Sequence, residues 1–403
     1  MTESRYCQFV RRFFALLCAA LPLQAGAADW AWLDDVQVHG FLSQGFIRTD
    51  HNNFFGDSES GSFDFTEIGV NASVRPLPSL LLTGQILSRN AGEMYDFTPQ
   101  VDYALANWAF VNREDYTFSL SLGRQKNPIG LFNETRDVAS TRPGIFVPQA
   151  VYFDKVRNLV LASDGVGLNG DWFTDAGVLQ ANMMFGTMQV DTNVEYAYLG
   201  GDFPGTLKAD GPSLLGRVGF EDAAGEWQLA VSGVYSEMQY DAAPVSPLQD
   251  GSTDFYYWVL SAQYAHDNWS VTGEYAWEPI TWSGYGAALP DRKLTGVGWY
   301  LQGDYDLRHD LSVMLRYESA LADKDDPKGL RASAASGGFL PPFAMYTHTW
   351  ATGLRWDVNP KLMLRFEYQR STGTHVLSGR ENPIPAGLEK EWQLFSVLAS
   401  YRF

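Results

Sequence analysis

Residues 124–163 contain a group of charged side chains whose types and spacing could bind a small ion. Six of these residues are basic and three are acidic, which gives the stretch a net charge of +3 in a chain whose formal net charge is −18. Basic side chains grouped in this way raise the local concentration of anions. The residues are Arg124, Lys126, Glu134, Arg136, Asp137, Arg142, Asp154, Lys155 and Arg157.

Motifs for covalent chemistry are missing from the sequence. It contains no Gly-x-Ser-x-Gly, no phosphate-binding glycine loop and no His-x-x-x-His zinc spacing, and its six histidines are scattered. Both cysteines, Cys7 and Cys18, lie in the first 28 residues. We therefore predict no catalytic residue, no cofactor and no metal site, although one sequence leaves open a Ser–His pair of the kind found in membrane lipases.

Alternation of apolar and polar residues predicts β-strands along the whole chain. In one clear case Leu362, Leu364 and Phe366 share one face of a strand while Arg365 and Glu367 share the other. We predict sixteen strands, and fourteen or eighteen remain alternatives. The segments lie at about 36–49, 61–75, 80–89, 101–112, 116–126, 164–174, 176–189, 213–222, 226–240, 253–265, 268–281, 293–307, 310–321, 345–358, 360–371 and 389–403.

The connections between these segments alternate in length. Short turns follow the even-numbered segments and long connections follow the odd-numbered ones. Outer-membrane barrels have short periplasmic turns and long outer loops. The sequence therefore predicts an all-β protein, a transmembrane antiparallel up-and-down β-barrel with both ends of the chain in the periplasm.

The first 28 residues have the pattern of a secretory signal peptide. Arg5, Arg11 and Arg12 precede an apolar run, and small residues follow it. Cleavage after Ala27 or Ala28 would leave residues 29–403 as one barrel domain with 26 basic and 46 acidic residues, a net charge of −20. Such acidity argues against nucleic acid as a partner. After residue 28 the sequence contains no run of about 18 apolar residues, so it predicts no transmembrane helix.

The last strand carries apolar residues at every second position. Phe395, Val397, Tyr401 and Phe403 share one face of the predicted strand. A strand that ends in Phe resembles the signal by which Gram-negative outer-membrane barrels are recognised for assembly. This resemblance implies an outer-membrane location, with the barrel-assembly machinery, membrane lipid and lipopolysaccharide as partners.

The order and number of strands resemble those of the sixteen-stranded porins. In those proteins the loop after the fifth strand, here about 127–163, folds into the lumen and narrows the pore. The segment Gly123-Arg-Gln-Lys-Asn-Pro-Ile-Gly-Leu131 is similar to the start of this loop in phosphate-selective-type porins. The resemblance implies a homotrimer, for which the loop Asn90–Gln100 is a candidate contact, with a plain surface loop as the alternative.

Three arginines on neighbouring segments are expected to face this loop. Arg316, Arg355 and Arg365 have the parity opposite to their apolar neighbours and lie four to six residues from the short turns, so we expect them in the lumen at similar height. With the charged loop residues they would form a constriction that favours anions. Two alternatives remain: the arginines pair with Glu318, Glu367 and the loop acids and only stiffen the wall, or the two sides create a transverse field without net preference.

Arg124 does not fit this scheme. It shares the parity of Leu120 and Leu122, which would direct it towards lipid unless a bulge intervenes or the strand has already ended. The sequence as a whole predicts an outer-membrane porin for small hydrophilic solutes, with a mild anion bias. The alternatives are a selective channel for phosphate or a carboxylate, and a surface adhesin or other barrel that does not conduct.

Overall fold

The structure is a computed structural model, and it describes residues 35–384 and 387–403. The predicted signal peptide (1–28) lies outside these residues. The strands are β1 (Gln37–Thr49), β2 (Ser62–Leu77), β3 (Leu80–Ala91), β4 (Gln100–Asn112), β5 (Tyr116–Lys126), β6 (Ala162–Thr174), β7 (Gly177–Met188), β8 (Gly205–Ala209), β9 (Ser213–Asp222), β10 (Trp227–Ala242), β11 (Gly251–His266), β12 (Trp269–Ser283), β13 (Arg292–Arg308), β14 (Leu311–Leu321), β15 (Tyr346–Asn359), β16 (Leu362–Gly373) and β17 (Glu391–Arg402). The helices are α1 (Arg157–Leu161), α2 (Thr192–Leu199) and α3 (Leu330–Ala335).

The strands form one antiparallel sheet that closes on itself. The strand β1 pairs with β2 on one side and with β17 on the other, where the ladder runs from Phe41 opposite Arg402 to Thr49 opposite Leu394. Sixteen strands form the wall, and the short β8 pairs with the end of β10. The predicted sixteen-stranded barrel is confirmed. The short strand β8 and the helices were not predicted.

The two ends of the barrel differ in their connections. At one end, the short-turn end, the connections have two to four residues; at the other, the long-loop end, they have eight to 35. No helix within 35–384 and 387–403 is long and apolar enough to cross a membrane.

Side chains alternate between the two faces of the wall as the sequence predicts. On β12 the exposed residues are Trp269, Val271, Tyr275 and Trp277, whereas the interleaved residues Thr272, Glu274 and Ala276 are buried. On β17, Phe395 and Tyr401 are exposed while Leu394 and Leu398 are buried. An apolar outer surface with aromatic residues is typical of a wall that faces lipid.

Phe403 is joined to β1 by two backbone hydrogen bonds with Gly40, both 3.0 Å long. Glycine at residue 40 leaves room for this arrangement, because a Cβ there would lie 2.5 Å from the Phe403 ring and 2.9 Å from the Gly69 carbonyl oxygen. The four residues predicted as an assembly signal, Phe395, Val397, Tyr401 and Phe403, share the outward face of β17, the strand that closes the barrel against β1. Their role in assembly stays a prediction.

Two apolar clusters fill much of the barrel interior towards the long-loop end. The first, the α2 cluster, packs Val194, Tyr198 and Leu199 of α2 against inward residues of β10–β13 such as Phe255 and Trp282. The second, the Phe146 cluster, joins Phe146 to residues of β1, β2, β16, β17 and their loops; its rings include Phe54, Phe55 and Phe65, with centroids 4.4–5.8 Å apart. Burial of each such ring contributes about 1.5–3 kcal/mol, so these contacts hold the outer loops against the barrel.

Candidate functional site: the loop between β5 and β6

The connection between β5 and β6 (residues 127–161, here the inner loop) runs into the barrel interior. Its two ends meet where the Asn127 amide donates to the Leu161 carbonyl oxygen at 3.0 Å and the Asn133 side chain donates to the carbonyl oxygens of Asn127 and Val160. Apolar loop residues that would be unusual in solvent, among them Ile145 and Val151, are buried. The inner loop therefore occupies the lumen and narrows it.

Three wall carboxylates accept hydrogen bonds from the backbone of the inner loop. Glu274 on β12 accepts from the Leu131 amide at 2.9 Å, Glu318 on β14 from the Ala150 amide at 2.9 Å, and Glu367 on β16 from the Ile145 amide at 2.6 Å. Glu274 also accepts from the hydroxyls of Ser261, Tyr152 and Tyr300 at 2.6–2.8 Å. Hydrogen bonds to carboxylates are stronger than those between neutral groups, and together these bonds fix the loop to three wall strands, β12, β14 and β16.

Wall donors complete the attachment of the loop. Arg355 donates to the Ser140 carbonyl oxygen at 2.9 Å, and Arg365 donates to the carbonyl oxygens of Arg142, at 2.8 Å, and Gly144. Gln302 donates to the Pro143 carbonyl oxygen at 2.9 Å. Two of the three expected lumenal arginines thus bind the loop, and they bind its backbone rather than its acidic side chains.

The three arginines do not share one level. Arg355 and Arg365 are direct partners on β15 and β16, whereas Arg316 lies opposite Ala351, four residues further along β15. The expectation of similar height is wrong for Arg316, because neighbouring strands of a barrel are staggered and equal distance from a turn is not equal height.

Arg316 pairs with the wall itself. Its guanidinium lies 3.3 Å from both Glu318 and Glu367, and its side chain is fully buried. This is the stiffening role that the sequence left open for the arginines. Breaking such a buried pair costs several kcal/mol because it leaves an uncompensated charge.

On the opposite side of the lumen, the charged loop residues form an ion-pair network with β2–β5. It consists of two groups, which a hydrogen bond from Arg142 to the Asp137 carbonyl oxygen connects. Arg157 and Lys126 both bind Asp137, and Lys126 also binds Asp102. The network continues from Asp154, which pairs with Arg136 at 3.2 Å and Arg89 at 3.1 Å, to Glu67, which pairs with Arg89 and Arg142.

This network holds the Asp137 carboxylate of the inner loop in the charged form. Burial alone would raise the pKa of Asp137, but the adjacent Arg157 and Lys126 cations outweigh it and hold the pKa well below its usual range. The sequence analysis missed Glu67, Arg89 and Asp102. The inward parity of Glu67 on β2 was a signal that could have found it, since a carboxylate facing the lumen needs a cation nearby.

Arg124 lies apart from the network. The register between β5 and β6 continues without a shift to Lys126, so neither a bulge there nor an early strand end redirects its side chain. It keeps the parity of the exposed Leu122 and binds Asp164 through two nitrogens at 2.7 Å. Asp164 in turn has the parity of the exposed Val166. Lys126 has the same parity as Arg124 and still joins the ion-pair network, so parity alone does not decide the place of Arg124, and its contribution to the constriction stays a prediction.

Lys155 links the inner loop to the loop after β16. Its ammonium donates to the His375 carbonyl oxygen. Burial lowers the pKa of Lys155 to about 8, although nearby Glu278 opposes this shift. Burial and the Lys155 charge hold the pKa of His375 well below its usual range. The Lys155 ammonium is therefore buried away from water, which weakens its preference for the charged form.

Two cavities flank the inner loop on opposite walls, towards the short-turn end. The basic cavity, about 260 Å³, is lined by Arg142 of the loop and by Asp304, Arg355 and Arg365 of β13–β16. The amide cavity, about 370 Å³, is lined by Glu134 of the loop and by residues of β3–β7; the polar wall residues include Tyr103, Asn107, Ser121, Gln125, Asn169 and Asn182. One site therefore offers guanidinium groups, and the other offers mostly neutral amides and hydroxyls.

No protein-family model matches the chain, and no curated protein sequence matches it. Among solved structures it is similar to the outer membrane channel DcaP of Acinetobacter baumannii, with 12% identity, a TM-score of 0.57, and coverage of 91% of this chain and 97% of that one. It is also similar to the anion-selective porin from Comamonas acidovorans (10% identity, TM-score 0.55, coverage 91% and 99%). The trimer form of OmpT of Vibrio cholerae gives 11% identity, a TM-score of 0.54, and coverage of 91% and 99%. These likenesses show that the chain has the sixteen-stranded fold of Gram-negative outer-membrane porins.

Proposed function

We propose that the protein is a porin of a Gram-negative outer membrane and that small hydrophilic solutes diffuse passively through it. The observation that carries this proposal is the inner loop, held across the lumen of a closed barrel by Glu274, Glu318 and Glu367. A loop fixed in this way sets the width and the electric field of the path, which are the two properties that control selectivity in a channel.

We further propose a mild preference for anions. The basic cavity contains the direct pair Arg355 and Arg365, which are like charges facing each other across two strands. Among the described residues, no carboxylate lies within ion-pair distance of Arg365, whose hydrogen bonds go to loop carbonyls. Its positive charge is therefore only partly compensated and would attract a passing anion.

The test is the reversal potential of the refolded protein in a planar bilayer under a salt gradient. We expect an anion-directed potential that moves towards zero in the variant Arg365→Gln. The matched control Arg331→Gln removes the same charge from an exposed outer loop and should leave the potential unchanged. A cation-directed potential in the wild type would keep the porin and refute the anion preference.

A selective channel for phosphate or a carboxylate is the second candidate, and the basic cavity favours it. A selective site differs from a general field because its occupancy saturates. Inorganic phosphate or succinate should then block the chloride current at millimolar concentration, whereas a general porin would show only the proportional effect of added salt.

A barrel that does not conduct, for example a surface adhesin, is the third candidate. The α2 cluster and the Phe146 cluster favour it because they place apolar side chains across the long-loop end. A folded, heat-modifiable barrel without channel activity in the bilayer would support this candidate and refute the porin.

The proposed setting follows from the same reasoning. The signal peptide and terminal Phe403 support export and insertion by the barrel-assembly machinery into a membrane with lipopolysaccharide, and no enzymatic activity is proposed. A homotrimer is supported by the fold shared with an outer membrane protein described in a trimer form. Cross-linking of the protein in native membranes, followed by electrophoresis without heating, would show a band of three chains.

A further inference from the structure

The amide cavity contains a row of neutral polar side chains that crosses four strands at one level. Asn107 on β4 lies opposite Ser121 on β5, Ser119 on β5 lies opposite Asn169 on β6, and Asn169 lies opposite Asn182 on β7. The inward faces of these strands thus offer amides and hydroxyls where the opposite wall offers charges.

Hydrogen bonds within the row fix the orientation of its amides. The Asn182 side chain donates to the Asn169 side-chain oxygen at 3.0 Å, and the Asn107 side chain donates to the Ser119 hydroxyl at 3.1 Å. An amide group has two donor hydrogens and two acceptor lone pairs. These bonds use only part of that capacity, so the remaining groups can bind a solute without rearrangement.

Gln125 supplies a second, independent observation. It lines the cavity and is 9% exposed, its oxygen accepts from Ser121 at 2.6 Å, and its side-chain nitrogen has no partner among the described residues. A buried donor without a partner is uncommon in folded proteins and requires an explanation. A solute in the cavity that accepts a hydrogen bond from this nitrogen would provide one.

The charges around the cavity argue against an anion here. Lys126 is already paired with Asp102 and Asp137, so its charge is compensated. Glu134 brings a carboxylate to the cavity, and burial raises its pKa, although the Arg217 charge opposes this shift. A carboxylate repels anions and accepts hydrogen bonds from hydroxyl groups. The ring of Tyr103 adds an apolar surface.

We propose that the amide cavity is a binding site for a neutral polyhydroxylated solute of about the size of a hexose. Hydroxyl groups donate and accept at the same atom, which matches a row of amides better than it matches guanidinium groups. The volume of about 370 Å³ lies within the range of small-molecule sites. This inference rests on the proposed channel function, because the lumen is the route by which the solute reaches the cavity.

The test uses D-glucose as the probe on the wild-type protein in planar bilayers. We expect a partial block of the ion current that saturates with glucose concentration. Asn169→Leu and Asn182→Leu each replace an amide by an apolar group with the same number and branching of heavy atoms and should raise the half-saturating concentration about tenfold. The control Asn71→Leu makes the same change on the inward face of β2, away from the cavity, and should leave it unchanged.

The outcomes separate the two proposals. A conducting channel without saturable block, or with equal block in all variants, overturns the glucose site and leaves the porin intact. A protein that does not conduct overturns the porin, and saturation-transfer NMR of the folded protein with D-glucose in detergent then decides the site. A saturable signal that is lost in Asn182→Leu supports the site, and no signal from the wild type refutes it.

Discussion

The two walls that flank the inner loop use polar side chains in different ways. On β12–β16 the charged residues are occupied: Glu274, Glu318 and Glu367 accept loop amides, while Arg355 and Arg365 donate to loop carbonyls. On β4–β7 the amides bond to each other and to serine hydroxyls, and they leave donors and acceptors towards the cavity.

This difference shows that charge in the lumen is not by itself a measure of selectivity. A buried charged group holds the loop in position when its hydrogen bonds go to the loop backbone. These bonds partly compensate its charge and so weaken the electric field that it exerts on a solute. Neutral groups with unused hydrogen-bonding capacity can recognise a solute more directly. Substitutions on the charged wall should therefore change the structure first, whereas substitutions on the amide wall should change solute binding at unchanged stability.

The largest effect is expected for Glu274→Leu. The change leaves the hydroxyls of Tyr152, Tyr300 and Ser261 without their acceptor, and the Leu131 amide keeps only its bond to the Tyr152 hydroxyl. Each buried donor left unsatisfied costs about 1–3 kcal/mol, so the loop should detach and the channel conductance should rise. Single-channel recording checks the conductance, and loss of the folded band on heating checks stability. Glu114→Gln, in an exposed turn, is the control, and an unchanged conductance in Glu274→Leu would contradict the anchoring role.

The next effect concerns how closely the loop approaches the charged wall. A Cβ on Gly298 would lie 1.7 Å from the Ala150 carbonyl oxygen, so Gly298→Ala must push the loop away from β13. Overpacking of this kind costs about 1–3 kcal/mol. Gly303→Ala, on the same strand, meets no atom nearer than 4.0 Å. Urea unfolding in lipid vesicles should show a lower free energy of unfolding for Gly298→Ala but not for Gly303→Ala. An equal decrease in both variants would mean that the contact with Ala150 is not specific.

A pH effect is expected from Lys155. Its pKa is about 8 in the folded protein against 10.5 ordinarily, so between these values the unfolded chain binds more protons and stability rises with pH. Below pH 8 and above pH 10.5 the contribution is constant. The unfolding temperature of the wild type should increase between pH 8 and 10 relative to Lys155→Met. Lys361→Met, in a short turn, should keep the increase, and the same pH profile in all three proteins would refute the assignment.

The smallest effect is expected for Arg124→Gln. The pair with Asp164 is partly exposed, with 19% and 40% of the two side chains accessible, and such pairs contribute about 0–1 kcal/mol. Because the pair has the outward parity of the wall, the reversal potential should not change. A shift as large as that of Arg365→Gln would place Arg124 in the lumen after all and remove the distinction between the two faces.

Period-two alternation was sufficient to predict the barrel, its strand count and the face on which Arg316, Arg355 and Arg365 lie. It predicts a face because successive side chains point to opposite sides of a strand. It does not predict height, since the stagger between strands is a property of the closed sheet. For this reason the sequence correctly placed Arg355 and Arg365 together and misplaced Arg316.

The parts of the site that were not predicted depend on contacts between distant residues. The row from Asn107 to Asn182 consists of ordinary polar residues on four separate segments, and only the strand registers bring them to one level. The α2 cluster had a local signal that could have been used. The run Phe255-Tyr-Tyr-Trp258 is apolar on both faces, which indicates that the interior there is filled by something apolar.

The attachment of the inner loop has a consequence for the order of folding. The loop amides of Leu131, Ala150 and Ile145 bind acceptors that lie 143, 168 and 222 residues later in the chain. Contacts so distant in sequence form slowly, because a large part of the chain must be ordered before they form. The loop therefore lacks these three acceptors until β12–β16 are in place, and during assembly it would be held only by its ion pairs with β2–β5, in a lumen that is still open. The constriction would be the last part of the protein to mature, so an early intermediate should be leakier than the finished barrel.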